Sequence, residues 1–248
     1  MTPDPLFDFT DKIVLVTGGS RGLGYEMVKA FAARGAHVIV ASRKLDNCKK
    51  VADEIRALGR RALAFAAHVG KWAECDALIE ASYAEFGRVD ILINNAGMSP
   101  ACPSHEMPES LFDSVVNLNF KGPFRLASQI GYRMNQGDGG SIINISSTGA
   151  LMALPQVIPY GSAKAALNAM TVSLSREYAP KVRVNTISPG AFKTDIAKAW
   201  DQEASESMPV ALGRIGYPPE IVTAALMLAS PASSYTTGAL LRVDGGQR

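Results

Sequence analysis

The sequence predicts an α/β fold: a single domain spanning 1–248, built on a doubly wound parallel sheet of about seven strands with helices on both faces. Three observations predict it. Short aliphatic or β-branched runs alternate with longer stretches of helical period, the pattern of strands covered on both sides by crossover helices. A glycine-rich turn, Thr17-Gly18-Gly19-Ser20-Arg21-Gly22-Leu23-Gly24, joins the first such run directly to a helical stretch. No linker rich in Gly, Pro and Ser, no internal repeat and no low-complexity tract divides the 248 residues.

The elements follow in order. The run IVLVT at 13–17 opens the sheet, and the glycine turn hands it to a helix at 22–34. HVIVA at 37–41 and ALAFA at 62–66 flank a helix at 46–58, and a helix at 73–86 leads to ILIN at 91–94. A helix at 120–134 precedes SIINI at 141–145. A long helix at 160–178 leads to RVNTI at 183–187, and a helix at 219–229 precedes LLRV at 240–243. Right-handed crossovers are expected throughout. Two stretches break the rhythm. Residues 98–109 hold three prolines, and 192–218 mixes charged residues with Ile196, Trp200 and Met208 before the turn Gly216-Tyr217-Pro218-Pro219. Both follow strand C-termini, where doubly wound sheets bind ligands, so they are candidate substrate loops; plain surface connections are the alternative. Met98, Leu154, Gln156 and Phe192 join these residues in suggesting a mostly apolar pocket.

Charge and cysteine usage exclude several classes. Lys plus Arg number 25 against 23 Asp plus Glu, a formal net charge of +2, which gives neither the basic field of a nucleic-acid binder nor an acidic tail. Cys48, Cys75 and Cys102 are too few and too widely spaced for a disulfide framework or a zinc knuckle, which points to a reduced, cytoplasmic setting. The first twelve residues carry three aspartates and two prolines and do not read as a signal peptide. Apolar stretches such as 62–67 and 223–229 fall short of the roughly 20 residues a bilayer requires, so a soluble, non-membrane protein is expected.

Glycines allow a sharp bend and close approach to a ligand, and the helix behind them offers free N–H groups and a positive dipole end to phosphate. The spacing G-x-x-x-G-x-G departs from the common dinucleotide fingerprint, and no Gly-Lys-Ser/Thr follows to make an NTPase loop. A dinucleotide phosphate is therefore expected against Gly18, Ser20, Arg21, Gly22, Leu23 and Gly24, with a merely tight connection as the alternative. The second strand ends in Ala41-Ser42-Arg43-Lys44, with no carboxylate before Asp46. An acid there would hold a ribose 2′-hydroxyl, whereas an arginine accommodates a 2′-phosphate, so NADP(H) is favoured over NAD(H). Arg21, Arg43 and Lys44 would form a cationic fork with Ser42 donating a hydrogen bond. The plain reading of Arg43 and Lys44 is two solvated residues at a strand end.

Tyr160 and Lys164 stand at i and i+4 on one helix face, and an ammonium beside a phenol favours the phenolate. Any helix can carry such a pair by chance. Its weight comes from Asn94-Asn95-Ala96-Gly97 after the fourth strand, Ser146-Ser147 after the fifth, Pro189-Gly190 after the sixth and the ending Val243-Asp244-Gly245-Gly246. With the glycine turn, these motifs make the chain resemble the short-chain dehydrogenase/reductase family from about residue 12 to its end, in family order and at family spacing.

The resemblance implies a Rossmann-like fold and an NADP-preferring oxidoreductase that moves hydride between nicotinamide and a ketone, aldehyde or secondary alcohol. It implies Tyr160 as general acid and base, with Lys164 lowering the phenol pKa and holding the nicotinamide ribose. Ser147, rather than Ser146, would bond the substrate oxygen. Asn119 would support a water-linked relay to the lysine, leaving Asn117 as a helix-surface amide. Asn95, Ala96 and Gly97 would lie along the adenosine ribose, with Pro189, Gly190 and Thr194 at the nicotinamide end. One position departs from the pattern: where many members have an Asp beside the adenine, this chain has His68 followed by Val69. A backbone contact from Val69 survives that change, while His68 is expected to pack or hydrogen-bond there. A metal role is not expected, because His37 and His105 supply no ligand spacing.

Two alternatives stand beside this reading. One is a 3-oxoacyl thioester (acyl carrier protein) reductase; the other is a catalytically silent dinucleotide-sensing protein. The family consists of dimers and tetramers, and the helix at 160–178 is apolar around most of its circumference, so a homo-oligomer, a homotetramer in particular, is expected.

Overall fold

The computed structural model describes residues 4–194 and 210–247. Seven parallel strands join in one sheet: β1 (Ile13–Thr17), β2 (His37–Ser42), β3 (Ala62–Ala66), β4 (Ile91–Asn94), β5 (Gly140–Ile145), β6 (Val182–Pro189) and β7 (Leu240–Val243). Their spatial order is β3-β2-β1-β4-β5-β6-β7, so the winding reverses between β1 and β4. Strands of this kind are hydrophobic on both faces because both are covered. In β1, Val14 and Val16 enter one core, with Phe31 and Val51; Ile13 and Leu15 enter the other, with Leu78 and Ile130. One residue of register slip would exchange those two sets.

The helices divide accordingly. α1 (Gly22–Ala32), α2 (Leu45–Ala57) and α7 (Val222–Ala229) bury residues in the first core. α3 (Trp72–Phe86), α5 (Gly122–Gln136) and α6 (Ile158–Glu177) bury residues in the second. A short helix, α4 (Glu109–Val116), places Val115 beside Val157 and Tyr160 in a third, small cluster. Among the described residues no helix is long and apolar enough to cross a membrane.

Several boundaries differ from the sequence expectation. α4 was not anticipated: it is only eight residues long, follows the proline-rich loop directly and buries only Val115. The expected helix at 120–134 runs two residues further and is preceded by a π-helical turn at Asn117–Lys121, where the Gly122 N–H reaches the Asn117 carbonyl. Gly122 itself is demanded by packing, since a Cβ there would stand 1.7 Å from the Val69 carbonyl oxygen. The expected helix at 219–229 starts as a 3-10 turn, Pro218–Ile221, its two prolines standing in the first turn, where a missing N–H costs no intrahelical bond.

Candidate active site

A cleft of about 530 Å³ opens at the C-terminal edge of the sheet, beside the reversal between β1 and β4. The β1–α1 turn forms its floor. Gly18 and Gly22 take φ of +66° and +56°, the left-handed region that glycine adopts without strain. A Cβ on Gly18 would fall 2.9 Å from Asn95 Nδ2 and 3.1 Å from Ala96 Cα, and one on Gly24 would fall 2.3 Å from the Gly18 carbonyl oxygen. Gly18, Ser20, Arg21, Gly22 and Leu23 line the cleft, while Gly24 packs behind the turn instead.

Asn95, Ala96 and Gly97 form the adjoining wall. The Asn95 side chain is turned toward the floor, its amide donating to the carbonyls of Thr17 (2.9 Å) and Gly18 (3.3 Å). Thr17 answers with its hydroxyl oxygen, which accepts from the N–H groups of Asn95 (3.0 Å) and Ala96 (3.1 Å). β4 and the glycine turn are thereby clamped together.

At the far end, Ser42, Arg43 and Lys44 line the cleft, and the Ser20 hydroxyl donates to Ser42 Oγ at 3.0 Å. Arg21, Arg43 and Lys44 are all exposed there. Asn47, one turn into α2, lines the same end, and nothing in the sequence distinguishes it from a helix-surface amide. From the β3 end, Val69 lines the cleft but His68 does not. The His68 ring closes its own turn, Nδ1 accepting from the Gly70 N–H at 3.2 Å, while its backbone N–H donates to Glu74 at 2.6 Å. One hydrogen bond thus turns the ring Nδ1 toward the chain's own turn. Among the described residues there is no cluster of His, Cys, Asp and Glu that could hold a metal ion.

The other end carries Tyr160, Lys164 and Ser147. Tyr160 and Lys164 are 8% and 3% exposed. Burial pushes the Tyr160 phenol up, and the Ser147 hydroxyl pulls it part of the way back. Burial lowers the Lys164 ammonium from its usual 10.5 to about 7. Lys164 Nζ is directed at the Ile145 carbonyl, 2.8 Å away, and sits 5.9 Å from the Tyr160 ring centroid, so dehydration outweighs the neighbouring charge. A main-chain carbonyl as the lysine's partner leaves no trace in side-chain motifs.

The two serines after β5 are distinguished by their bonds. The Ser146 hydroxyl donates to the Lys164 carbonyl at 3.3 Å, whereas Ser147 Oγ accepts from the Gly149 N–H at 3.0 Å and keeps its own proton to donate. Asn119 is buried behind the wall in the π-helical turn, its amide donating to the carbonyls of Met98 and Val115 at 2.9 Å each. Its Oδ1 has no partner among the described residues. Gly97 keeps the space beside it open: a Cβ there would lie 2.8 Å from Asn119 Oδ1 and 3.6 Å from Lys164 Nζ. Asn117 is half-buried and its carbonyl receives the Gly122 N–H, away from the cleft.

Pro189, Gly190, Phe192 and Thr194 complete the rim. Met98 and Leu154 pack with Val115 and Val157 around Tyr160, giving an apolar wall at the reacting end. Gln156 lies outside the cleft lining, but its carbonyl accepts from the Cys102 N–H at 2.8 Å and ties the β4 loop to the β5 loop. Ile196, Trp200 and Met208 lie outside the described residues. The glycine floor and the helix N-terminus that follows it, with no side chain among the described residues filling the approach, fit an extended dinucleotide.

Residues 12–205 match the short chain dehydrogenase family. The chain is 36% identical over 247 residues to an NAD-dependent glycerol dehydrogenase of Listeria innocua, covering 98% of this chain and 96% of that one. It is 36% identical over 240 residues to a 3-oxoacyl acyl-carrier-protein reductase of Chlamydia trachomatis, covering 95% and 97%. Among solved structures, a 7α-hydroxysteroid dehydrogenase complexed with NADH and 7-oxo glycochenodeoxycholic acid superposes with a TM-score of 0.93 at 32% identity, covering 100% of this chain and 98% of that one.

Proposed function

The chain belongs to the short-chain dehydrogenase/reductase family, and from that membership we propose that it interconverts a ketone or aldehyde with its alcohol, with NADP(H) as cofactor and Tyr160 as general acid and base. One observation carries the reading: Tyr160, Lys164 and Ser147 meet at one end of a cleft whose other end holds the glycine turn, Arg43 and Lys44.

The nicotinamide, when bound, supplies or accepts the hydride. Ser147 donates a hydrogen bond from its hydroxyl, whose proton it keeps, to the substrate oxygen and stabilises the charge that develops there. Tyr160 gives its phenolic proton to the same oxygen during reduction and takes it back during oxidation. Burial keeps that phenol protonated near neutral pH, the state a proton donor needs. Lys164 holds the ribose next to the reacting ring. Asn119 Oδ1, buried and without a partner, borders the same gap beside Gly97 as the Lys164 ammonium, which supports a proton relay through that gap. Pro189, Gly190 and Thr194 hold the nicotinamide end, and Gly18 to Leu23 hold the phosphates.

The glycerol dehydrogenase relative is NAD-dependent and the hydroxysteroid dehydrogenase structure holds NADH, so the cofactor proposal rests on this chain's own residues. Those residues are Ser42, Arg43 and Lys44 at the ribose end, with no carboxylate before Asp46. A homo-oligomer is proposed on α6, which buries Ala163, Leu167, Met170 and Leu174 but leaves Ile158, Ala165, Ala169 and Val172 exposed along another face. A mass measurement giving the monomer at micromolar concentration would remove that part.

The test is a turnover screen of ketones, aldehydes, polyols, steroids and 3-oxoacyl thioesters with each cofactor. Carbonyl-dependent oxidation of NADPH, more efficient than that of NADH, is the expected result. Equal efficiency with NADH sinks the cofactor assignment, and no turnover on any class sinks the reaction.

A further inference from the structure

The tail beyond β7 passes behind the catalytic serine. Gln247 is 7% exposed, and its Oε1 accepts a hydrogen bond from the Thr148 hydroxyl at 3.0 Å. Thr148 opens the 3-10 turn Thr148–Ala150, whose N-cap is Ser147. The same Gln247 oxygen flanks the turn after β6, since a Cβ on Gly190 would stand 3.0 Å from it and 2.8 Å from the Asp244 Cβ.

The tail is held in that place by its own main chain. The N–H groups of Ala211 and Leu212 donate to the carbonyls of Gly246 (3.3 Å) and Gly245 (3.0 Å), and Val210 pairs with Gln247 in an antiparallel bridge. The Arg242 guanidinium donates to the Gln247 carbonyl and is itself braced by Asp244 at 2.7 Å. A buried amide is retained at little cost only where its hydrogen bonds are made, and the Oε1 bond to Thr148 is one of them.

Neither Gln247 nor Thr148 lines the cleft. Both of the segments that Gln247 touches do reach it, one through Ser147 and the other through Gly190. We propose that Gln247 is a positioning residue for the reaction: through Thr148 it sets the turn that aims the Ser147 hydroxyl, and it holds that turn in register with the Pro189-Gly190 turn. The inference rests on Ser147 acting on the substrate oxygen as described above. A small misplacement of such a donor costs rate without costing cofactor binding, because the donor's work is done in the transition state.

The experiment is a double-mutant cycle with Thr148→Val and Gln247→Met, alongside Thr148→Ser. Each of the first two is expected to lower kcat about tenfold with cofactor affinity within about twofold, and the pair together about tenfold, not a hundredfold, because both break one link. Thr148→Ser, which keeps the hydroxyl, is expected to hold kcat within about twofold of wild type. Unchanged kcat in the single variants, multiplying losses in the double variant, or a Thr148→Ser as slow as Thr148→Val would each overturn the proposal. Should Gln247→Met fail to fold, the contrast between the two Thr148 variants decides alone. Amide hydrogen exchange at Gly149 and Leu151 separates the two layers of the argument: faster exchange in Thr148→Val but not in Thr148→Ser supports the link even if wild type turns over no carbonyl. Equal exchange in all three proteins contradicts it.

Discussion

At the reacting end of the cleft, Tyr160 and Lys164 are buried and stripped of water, whereas at the ribose end Arg43 and Lys44 stand exposed. The contrast assigns different physics to the two halves of one site. Where groups are dehydrated, burial decides their protonation, and it has moved both the phenol and the ammonium toward their neutral forms. Where cations remain hydrated, they attract a phosphate through a screened and modest interaction. On the proposed function, chemistry would depend on geometry that cannot be softened by salt, while cofactor choice would depend on charge that can.

Four perturbations separate the halves. Removing the phenolic hydroxyl with Tyr160→Phe is expected to lower kcat about 100- to 10,000-fold while leaving the cofactor dissociation constant close to wild type, measured by stopped-flow turnover and fluorescence titration.

Lys164 provides a stability test. Its folded pKa of about 7 lies below its usual 10.5, so the unfolded chain binds the extra proton between those values and stability rises with pH across that window. The cost of burying the ammonium is complete below about pH 7 and fades toward pH 10.5, on the order of a few kcal/mol. Lys164→Met is therefore expected to be more stable than wild type at pH 7 and to flatten the rise in Tm from pH 7 to 10. A variant with the same slope as wild type would show that burial of this lysine carries no such cost.

The ribose end responds less. Arg43→Ala is expected to weaken NADPH binding about tenfold and to leave NADH within about twofold, the loss of one charge-assisted hydrogen bond. Smallest is the salt effect: raising ionic strength from 0.05 to 0.3 M, roughly halving the Debye length, is expected to weaken NADPH severalfold more than NADH. If salt weakened both cofactors alike, the exposed cations would not be reading the 2′-phosphate.

What was legible in the sequence follows the same divide between side chain and surroundings. All seven strands were visible as short runs rich in aliphatic or β-branched residues, most plainly β1, β2 and β4, which are buried on both faces and leave no polar alternation to confuse the reading. Tyr160, Lys164, Ser147 and the glycine turn were visible because their chemistry resides in side-chain type and spacing. The Ile145 carbonyl that receives Lys164, and Thr17 as a double acceptor, were not, because those partners are chosen by tertiary approach. The burial of Tyr160 and Lys164 was not legible for a related reason: it is a property of the folded cleft, and a pair at i and i+4 reads the same whether wet or dry. The bond from the Gly70 N–H to the His68 ring was not legible either, since it depends on the local turn. Gln247 had no signal at all, since nothing in a glutamine next to the last residue indicates that it reaches Thr148.

The division of labour between the two ends is tested most directly by kcat/KM for NADPH and for NADH, measured side by side on wild type, Tyr160→Phe and Arg43→Ala. The account predicts that Tyr160→Phe depresses both cofactors by the same large factor, and that Arg43→Ala depresses NADPH alone. Equal losses for the two cofactors in Arg43→Ala, or near-wild-type turnover in Tyr160→Phe, would contradict it.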